Sequence, residues 1–303
     1  MPAHLYASTR LKCEAMRRQE SRHSVRRMCR VLLIREWQYY QWRIQEEKRR
    51  GRRLREQELV RDVEMVFHAS DDAYGCRKIT RELRNEGIAI SEWKVRRIMR
   101  EHGLYSVTQR KYRPFRHHQE TNPYKEDLVK QQFRPDGPNV VWAGDITYIK
   151  TRIGWVYLAV VMDLYNREVI GYATSQRIDT ELVKRALGEA VGRYPDTEGT
   201  IFHSDRGTQY AGAGYQTLLA NYHMRGSMSR GGCPYDNACV ESFFAQLKKE
   251  RIYRRTYRDL SEVNAELFDY IELFYNRKRI HSTLNYQTPI GFRFSNVSSL
   301  CAV

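Results

Sequence analysis

Three acidic residues, far apart in the chain, have the side chains best suited to chemistry. Asp145 lies in the apolar string WAGDITYI, Asp205 in FHSDRGTQY and Glu241 in PYDNACVESFFAQLKKE. A carboxylate inside an apolar strand is costly unless it is paired or bound to a cation. Three carboxylates brought together also repel one another unless positive charge lies between them. Because two divalent ions held by acids are common in phosphoryl-transfer chemistry, these residues are candidate catalytic residues and metal ligands.

The residues after Pro234 predict the helix that carries Glu241. Asp236 or Asn237 can cap this helix. Four apolar residues recur at helical spacing and form its buried stripe: Val240, Phe243, Phe244 and Leu247. Glu241 lies beside that stripe among small alanines, which leave space for a metal ion and a nucleotide. Lys248, two turns further along, is placed to meet a phosphate backbone.

The two aspartates fall in a region of predicted α/β structure. From Asn139 onward, three β-branched apolar runs at hairpin spacing predict sequential strands, VVWAGDITYIK, GWVYLAVVMDLY and REVIGYATS. Asp145 lies inside the first run. A helix, a strand that ends at Asp205, another helix, a short strand and the Glu241 helix follow. This order predicts a mixed sheet covered by helices.

Other polar residues near the acids have structural explanations. Asp163 ends the second predicted strand, where a cap or a salt bridge is the expected role and a fourth acid near the metals is the alternative. Strand alternation places His203 on the same side as Asp205 and Ser204 on the other side. Neither His203 nor Ser204 is a catalytic candidate.

The charge of the chain is concentrated in its first half. The 303 residues carry a net charge of +16, which indicates a polyanionic partner. Residues 1–120 hold 29 Lys and Arg against 16 Asp and Glu, whereas residues 121–303 hold 23 against 20. This asymmetry is typical of a binding region joined to a domain with other work.

A helix-turn-helix is predicted at residues 74–104, within the basic half. Gly87 separates two short helices, and Ser91 can cap the second. The apolar face of the second helix is Trp93, Val95, Ile98 and Met99. Its cations are candidate DNA contacts, together with two lysines of the Glu241 helix: Lys94, Arg96, Arg97, Arg100, Lys248 and Lys249. The alternative is a helical hairpin whose arginines are only solvated.

Cysteine usage and hydropathy predict where the protein resides. The six cysteines form no CxxC pair, so neither a zinc site nor a disulfide is expected without a secretory signal. The longest apolar run, near 156–162, is too short to cross a bilayer. We expect a reduced, cytoplasmic protein with no membrane partner.

The strings around the acids resemble those of the DDE recombinases. There are 59 residues between the aspartates and 35 between Asp205 and Glu241. The specific resemblance is to the insertion-sequence-three family of bacterial transposases, and within it to the product of the second reading frame. It extends from about residue 24, through the helix-turn-helix, to the terminal string YIELFYNRKRIHSTLNYQTPIGF.

The resemblance implies an RNase H-like catalytic core, related to retroviral integrases, with Asp145, Asp205 and Glu241 as ligands of Mg²⁺ or Mn²⁺, two ions per site. It implies that a metal-activated water cuts a strand at the element's end and that the freed 3′-hydroxyl attacks another phosphodiester. The implied partners are double-stranded DNA at element ends and target, further copies of the chain, and the first-frame product or a protein fused from both frames. The implied location is the bacterial nucleoid.

These predictions divide the chain into five parts. They are a basic helical region and linker (1–58), a helix-turn-helix domain (59–104), a linker or arm (105–138), the integrase core (139–255) and a C-terminal helical segment (256–303). The predicted fold class is therefore an α/β core with an all-α N-terminal region. Two other functions remain open: a DNA-binding regulator with a vestigial core, and a structure-specific nuclease that cuts but never joins strands.

Overall fold

The structure is a computed structural model that describes residues 8–107, 126–130, 134–229 and 237–300. The cap predicted at Asp236 and most of the arm predicted over 105–138 lie outside these residues. The chain divides into two compact units, residues 1–65 and 66–303. Within the described ranges, every helix is too short or too polar to span a membrane.

The regular elements follow the predicted order. The helices are α1 (Thr9–Gln19), α2 (Val25–Leu32), α3 (Glu36–Ala69), α4 (Cys76–Asn85), α5 (Glu92–Glu101), α6 (Thr180–Arg193), α7 (Thr208–Ala211), α8 (Ala213–Asn221), α9 (Ala238–Glu250), α10 (Leu260–Phe268) and α11 (Pro289–Leu300). The strands are β1 (Val141–Thr151), β2 (Gly154–Asp163), β3 (Val169–Ser175), β4 (Ile201–Ser204) and β5 (Arg225–Met228). A π-helical turn follows α10 at Asp269–Tyr275, and 3₁₀ turns occur at Ile252–Arg254 and Ser282–Leu284.

The first unit is helical and has its own small core. Its buried residues come from α1, α2 and the start of α3: Cys13, Met16, Met28, Cys29, Ile34 and Tyr39. The Tyr39 hydroxyl donates to the Glu20 carboxylate at 2.8 Å, and Arg43 contacts the same carboxylate at 2.7 Å. The basic stretch before residue 58 is helical and belongs to α3.

Helices α4 and α5 form the predicted helical pair of the second unit. The Ser91 hydroxyl accepts the N–H of Lys94 at 3.2 Å, as predicted for a cap. The inner faces are buried through Ile79, Leu83, Val95, Ile98 and Met99. The prediction for Trp93 is wrong, because its side chain is 67% exposed. Trp93 precedes Val95 by two residues, about 200° around a helix, so the two cannot share a face.

The sheet has the strand order β3-β2-β1-β4-β5. The first three strands in sequence pair antiparallel, whereas β4 runs parallel to β1, and β5 parallel to β4. This mixed sheet with covering helices confirms the predicted RNase H-like α/β fold. Its register decides the site, because Gly144 pairs with Ser204 across the parallel strands. Asp145 follows Gly144 and Asp205 follows Ser204. Because the two strands are parallel, the two aspartates therefore lie side by side.

Close packing fixes helix α6 against the sheet. A Cβ added at Gly171 of β3 would lie 2.3 Å from the carbonyl oxygen of Ala186 and 2.6 Å from the nitrogen of Ala190. Only glycine permits this approach of strand and helix. Apolar side chains of α6 and of the sheet complete this core, among them Trp142, Ile170, Leu182, Leu187 and Phe202.

Helix α9 packs through its predicted stripe, since Val240, Phe243, Phe244 and Leu247 are all buried. The last residue of α9, Glu250, forms a buried ion pair with Arg279 at 2.7 Å. The Tyr270 hydroxyl donates to the same carboxylate at 2.8 Å. Asp163 also has its expected structural role, because it accepts the N–H groups of Asn139 and Tyr165 and contacts Arg293 at 3.1 Å.

Candidate active site

The three acids lie on three different elements of the second unit. Asp145 is inside β1, Asp205 directly follows β4, and Glu241 is in the first turn of α9. The two aspartates are half-buried, while Glu241 is exposed at the rim. The sheet register places the aspartates beside each other, and α9 packs against β1.

A side-chain hydrogen bond connects α9 with β1 next to Asp145. The amide Nδ2 of Asn237 donates to the backbone carbonyl of Gly144 at 3.2 Å. Asn237, one of the two predicted caps, stands at the N-cap position of α9, but its side chain makes no capping bond. Asn237 has φ −123° and ψ 24°, and its side chain is directed to the strand instead of the helix.

The electrostatics around Asp145 show that the three carboxylates share one field. Burial raises the pKa of Asp145 well above its ordinary value, and the negative charges of Asp205 and Glu241 raise it further. The N–H of Ile146, 2.7 Å from the Asp145 carboxylate, and the charge of Lys248 oppose this shift. An ionised Asp145 is therefore under-compensated by the protein alone.

The other two acids have smaller shifts in the same direction. Burial raises the pKa of Asp205, against the N–H of Gly207 at 3.0 Å and the charge of His203. Partial burial raises the pKa of Glu241. Each acid would thus gain from a positive charge placed among them.

The donor set has the chemistry that a hard divalent ion prefers, because carboxylate oxygens are the usual ligands of Mg²⁺ and Mn²⁺. As they stand, no three His, Cys, Asp or Glu side chains of the described residues are close enough together to hold a metal ion. The three carboxylates suit a divalent ion for two reasons. They supply oxygen ligands, and a positive charge among them would relieve their mutual repulsion. Metal binding would require the three carboxylates to come closer together.

Of the two lysines predicted on α9, Lys248 belongs to this site. Its ammonium lies 4.8 Å from the centre of the Tyr148 ring. Burial lowers the pKa of Lys248, and the charge of Asp145 opposes that shift. Lys249 lies on another side of α9 and lines a groove with Arg77 and Arg96.

The predicted cations of α5 lie apart from the acids, on the helix-turn-helix. Arg96 pairs with Glu92 at 2.8 Å, and Arg97 lies over the Trp93 ring at 5.5 Å. Arg100 is exposed and Lys94 is half-buried. The exposed Trp93 ring therefore belongs to this cationic surface and not to the core.

Sequence reasoning missed Tyr210, a buried residue that lies close to Gly144 and to the two aspartates. A Cβ added at Gly144 would lie 3.4 Å from the Tyr210 hydroxyl oxygen and 2.6 Å from the Phe202 ring. Burial raises the pKa of Tyr210 strongly, with further contributions from Asp145 and Asp205. The only signal was its place five residues after Asp205 in DRGTQY. The His203 ring is buried and bonds to the Ser227 hydroxyl at 2.9 Å.

Comparison with known proteins assigns domain families to most of the chain. Residues 54–112 match the HTH-like domain family, and residues 135–234 and 241–297 match two families described as Integrase core domain. These matches include the helical pair α4–α5 and all three acids. An integrase-type core implies dependence on a divalent metal.

Two relatives have the same degree of identity. Transposase InsF for insertion sequence IS3A of Escherichia coli K12 is 38% identical over 288 residues, which are 95% of this chain and 100% of the relative. Transposase for insertion sequence element IS904 of Lactococcus lactis is 38% identical over 239 residues, 78% of this chain and 94% of the relative.

Two solved structures have a weaker likeness. The HTLV-2 integrase catalytic core domain in complex with magnesium has a TM-score of 0.40 at 18% identity, covering 53% of this chain and 99% of that one. A simian T-cell lymphotropic virus intasome in complex with PP2A regulatory subunit B56 gamma has a TM-score of 0.44 at 18% identity, covering 73% and 70%.

The sheet order and the matched domain families define an enzyme of the integrase type, a DDE polynucleotidyl transferase with a helix-turn-helix domain. The resemblance predicted from the sequence is confirmed by the relatives. The chain belongs to the IS3 family of transposases.

Proposed function

We propose that this transposase performs metal-dependent DNA strand cleavage and strand transfer at the ends of an insertion sequence, with Asp145, Asp205 and Glu241 as its catalytic metal ligands. The observation that carries the proposal is the position of Asp145. It lies beside Asp205 across two parallel strands, and the charges of both other acids raise its pKa.

Asp145, Asp205 and Glu241 would hold Mg²⁺ or Mn²⁺, two ions in this class of site. When bound, the ions would supply Lewis acidity for a nucleophilic water or hydroxyl and would neutralise charge on the phosphate. The chain contributes the carboxylates that hold the ions and the rigid strands that orient them. Lys248, beside the acids, binds a phosphate oxygen of the strand. Tyr210 and Phe202 fill the space under Gly144 and keep water out of the floor of the site.

The DNA-binding part of the function falls to the basic helices. In this proposal, Lys94, Arg96, Arg97 and Arg100 of α5, with Lys248 and Lys249 of α9, contact double-stranded DNA of the element ends. The active form is a multimer of this chain on paired ends, together with the first-frame product or a protein fused from both frames. It acts in the cytoplasm, at the nucleoid. The division into five domains with the predicted bounds is part of this proposal.

A cleavage and joining assay tests the proposal. The purified chain, with the first-frame product where required, is incubated with a labelled duplex that carries the element's end, with Mg²⁺ or with EDTA. The expected result is Mg²⁺-dependent nicking followed by joined products, both absent in Asp205→Asn. Binding without cutting would instead identify the DNA-binding regulator, and cutting without joining would identify the nuclease.

A further inference from the structure

A groove of about 630 Å³ runs between the helical pair α4–α5 and helix α9. Its cationic lining comes from every wall: Arg77 and Lys78 from α4, Arg96 from α5, Lys249 from α9 and Arg279 from the segment after the π-helical turn. Among the described residues, Glu250 is the one acid that lines it. Neither the acid triad nor Lys248 belongs to this lining.

The positive charge of the groove is only partly compensated. Glu250 is engaged by Arg279 at 2.7 Å. Arg77 and Arg96 share a single acid, Glu92, at 3.6 and 2.8 Å.

The two lysines of the groove have no acidic partner among the described residues, although the Lys78 ammonium lies 4.7 Å from the centre of the Tyr74 ring. Lys78 and Lys249 form no salt bridge with any acid in the described part of the chain. Burial and the charge of Arg279 lower the pKa of Lys78 to about 7, against Glu250 and Glu82. An anion placed beside Lys78 would oppose this shift and favour the charged form of the lysine.

The groove adjoins the acid triad along α9. Ala245 and Lys249 line it, and they follow Glu241 by four and eight residues. In a helix these positions lie about 40° and 80° around from Glu241 and one and two turns further along. A polymer that follows this face of α9 therefore arrives beside Glu241.

The walls of the groove are held together by hydrogen bonds across the second unit. Tyr74 lies just before α4. Its hydroxyl donates to the carbonyl of Lys278 at 3.1 Å and accepts the N–H of Ile280 at 2.9 Å. Arg251 contacts Asp71 at 2.9 Å, and Arg254 pairs with the same carboxylate. The groove is thus part of the packed structure and not a gap beside a loose domain.

We propose that this groove binds the phosphate backbone of the DNA between the helix-turn-helix and the acid triad, with Arg77, Lys78, Arg96 and Lys249 as its contacts. The proposal rests on the proposed function, which already includes Arg96 and Lys249 as DNA contacts and in which the bound strand is the one to be cut. It adds Arg77, Lys78 and the groove that joins the four residues. Charge complementarity selects the occupant. A polyanion with regularly spaced phosphates matches cations on three successive walls.

Salt-dependent DNA binding tests the groove. The double variant Arg77→Gln/Lys249→Gln is made in the Asp205→Asn background, so that binding is measured without cleavage. The control is Lys184→Gln/Arg225→Gln in the same background, which removes one half-buried lysine and one exposed arginine outside the groove lining. The probe is a labelled duplex of mixed sequence, titrated at several salt concentrations.

Each lost phosphate contact should lower the slope of log affinity against log salt by about 1. At 0.1 M salt the affinity should fall roughly tenfold per contact. The control should keep both values. A groove variant with the affinity and slope of the parent, or a control that loses as much, overturns the proposal.

A second measurement uses the native thiol in the groove wall and needs no groove variant to fold. Cys76 lines the groove and is half-buried, so a maleimide can reach it. The duplex should slow its alkylation, read by peptide mass spectrometry, in proportion to the fraction of protein bound. An unchanged rate at saturating DNA contradicts the proposal. Loss of Mg²⁺-dependent cleavage in the wild-type chain would refute the proposed function but leave both binding results interpretable.

Discussion

The side-chain amide of Asn237 donates a hydrogen bond of 3.2 Å to the carbonyl of Gly144, the residue before Asp145. This bond joins the start of α9 to β1. Glu241 lies four residues further along α9, so the same bond helps to fix its distance from Asp145. Asn237 is buried, and its Oδ1 has no hydrogen-bond partner in the described part of the chain. The side chain is therefore held by its donor alone.

Loss of this donor should slow catalysis more than it weakens DNA binding. We expect Asn237→Ala and Asn237→Asp to lower the cleavage rate about a hundredfold, the effect of a misplacement of about 1 Å. A carboxylate has the shape of the amide but cannot donate when ionised. Single-turnover cleavage and DNA affinity are measured on both variants. A wild-type rate for Asn237→Asp would show that the bond positions nothing.

The ion-free protein should become more stable when Asp145 loses its charge. The folded pKa of Asp145 is raised above the unfolded value, so the unfolded state releases its proton first. The contribution of Asp145 to the free energy of unfolding is therefore fully present below about pH 4. This contribution is lost as the pH rises towards the folded pKa. In EDTA, Asp145→Asn should lack this loss. Urea unfolding of both proteins at acidic and neutral pH gives the comparison, and an Asn variant less stable at neutral pH contradicts the account.

Gly171 and Gly188 should respond to alanine in opposite directions. A Cβ at Gly171 would meet the backbone of α6 at 2.3 Å, whereas a Cβ at Gly188 meets nothing within 4 Å. Gly171→Ala should destabilise by about 1–3 kcal/mol through overpacking. Gly188→Ala, in the middle of α6, should stabilise by about 0.5–1 kcal/mol. Thermal unfolding measures both, and equal effects would contradict the close packing of β3 on α6.

The buried ion pair between Glu250 and Arg279 should be far more sensitive than an exposed one. Arg279→Met leaves the Glu250 carboxylate buried without its partner and should cost about 3–5 kcal/mol. The control is Arg258→Ala, which breaks an exposed pair with Glu262 and should cost less than about 1 kcal/mol. Urea unfolding decides between them. Similar small losses would mean that Glu250 finds another partner.

Local patterns in the sequence predicted the elements that carry the acids. Alternating β-branched runs indicated β1 to β3, Ser91 indicated the start of α5, and the spacing of four apolar residues indicated the buried face of α9. These features depend on neighbours within a few residues, so a single sequence contains them. The family resemblance was found from the residues that surround each of the three acids in the sequence.

Interactions between distant residues were not predictable in the same way. Asn237 has the residue type and the position of a helix cap. Its side-chain amide instead donates to a strand carbonyl 93 residues away in sequence. Trp93 is apolar, yet the angle it makes with Val95 leaves it exposed among cations. Arg279 lies in a basic stretch of the sequence, yet it is buried because it forms an ion pair with Glu250 at the end of α9. Only the packed fold decides such pairings.

Titration with Mn²⁺, followed by electron paramagnetic resonance, tests the central claim most directly, because it measures the ion and not the reaction. Wild-type protein is compared with Asp145→Asn, Asp205→Asn and Glu241→Gln, with Glu198→Gln as an exposed control. Convergence of the three carboxylates predicts that each triad variant loses tight binding and that the control retains it. If Glu241→Gln bound Mn²⁺ as the wild type does, the three acids would not form one site.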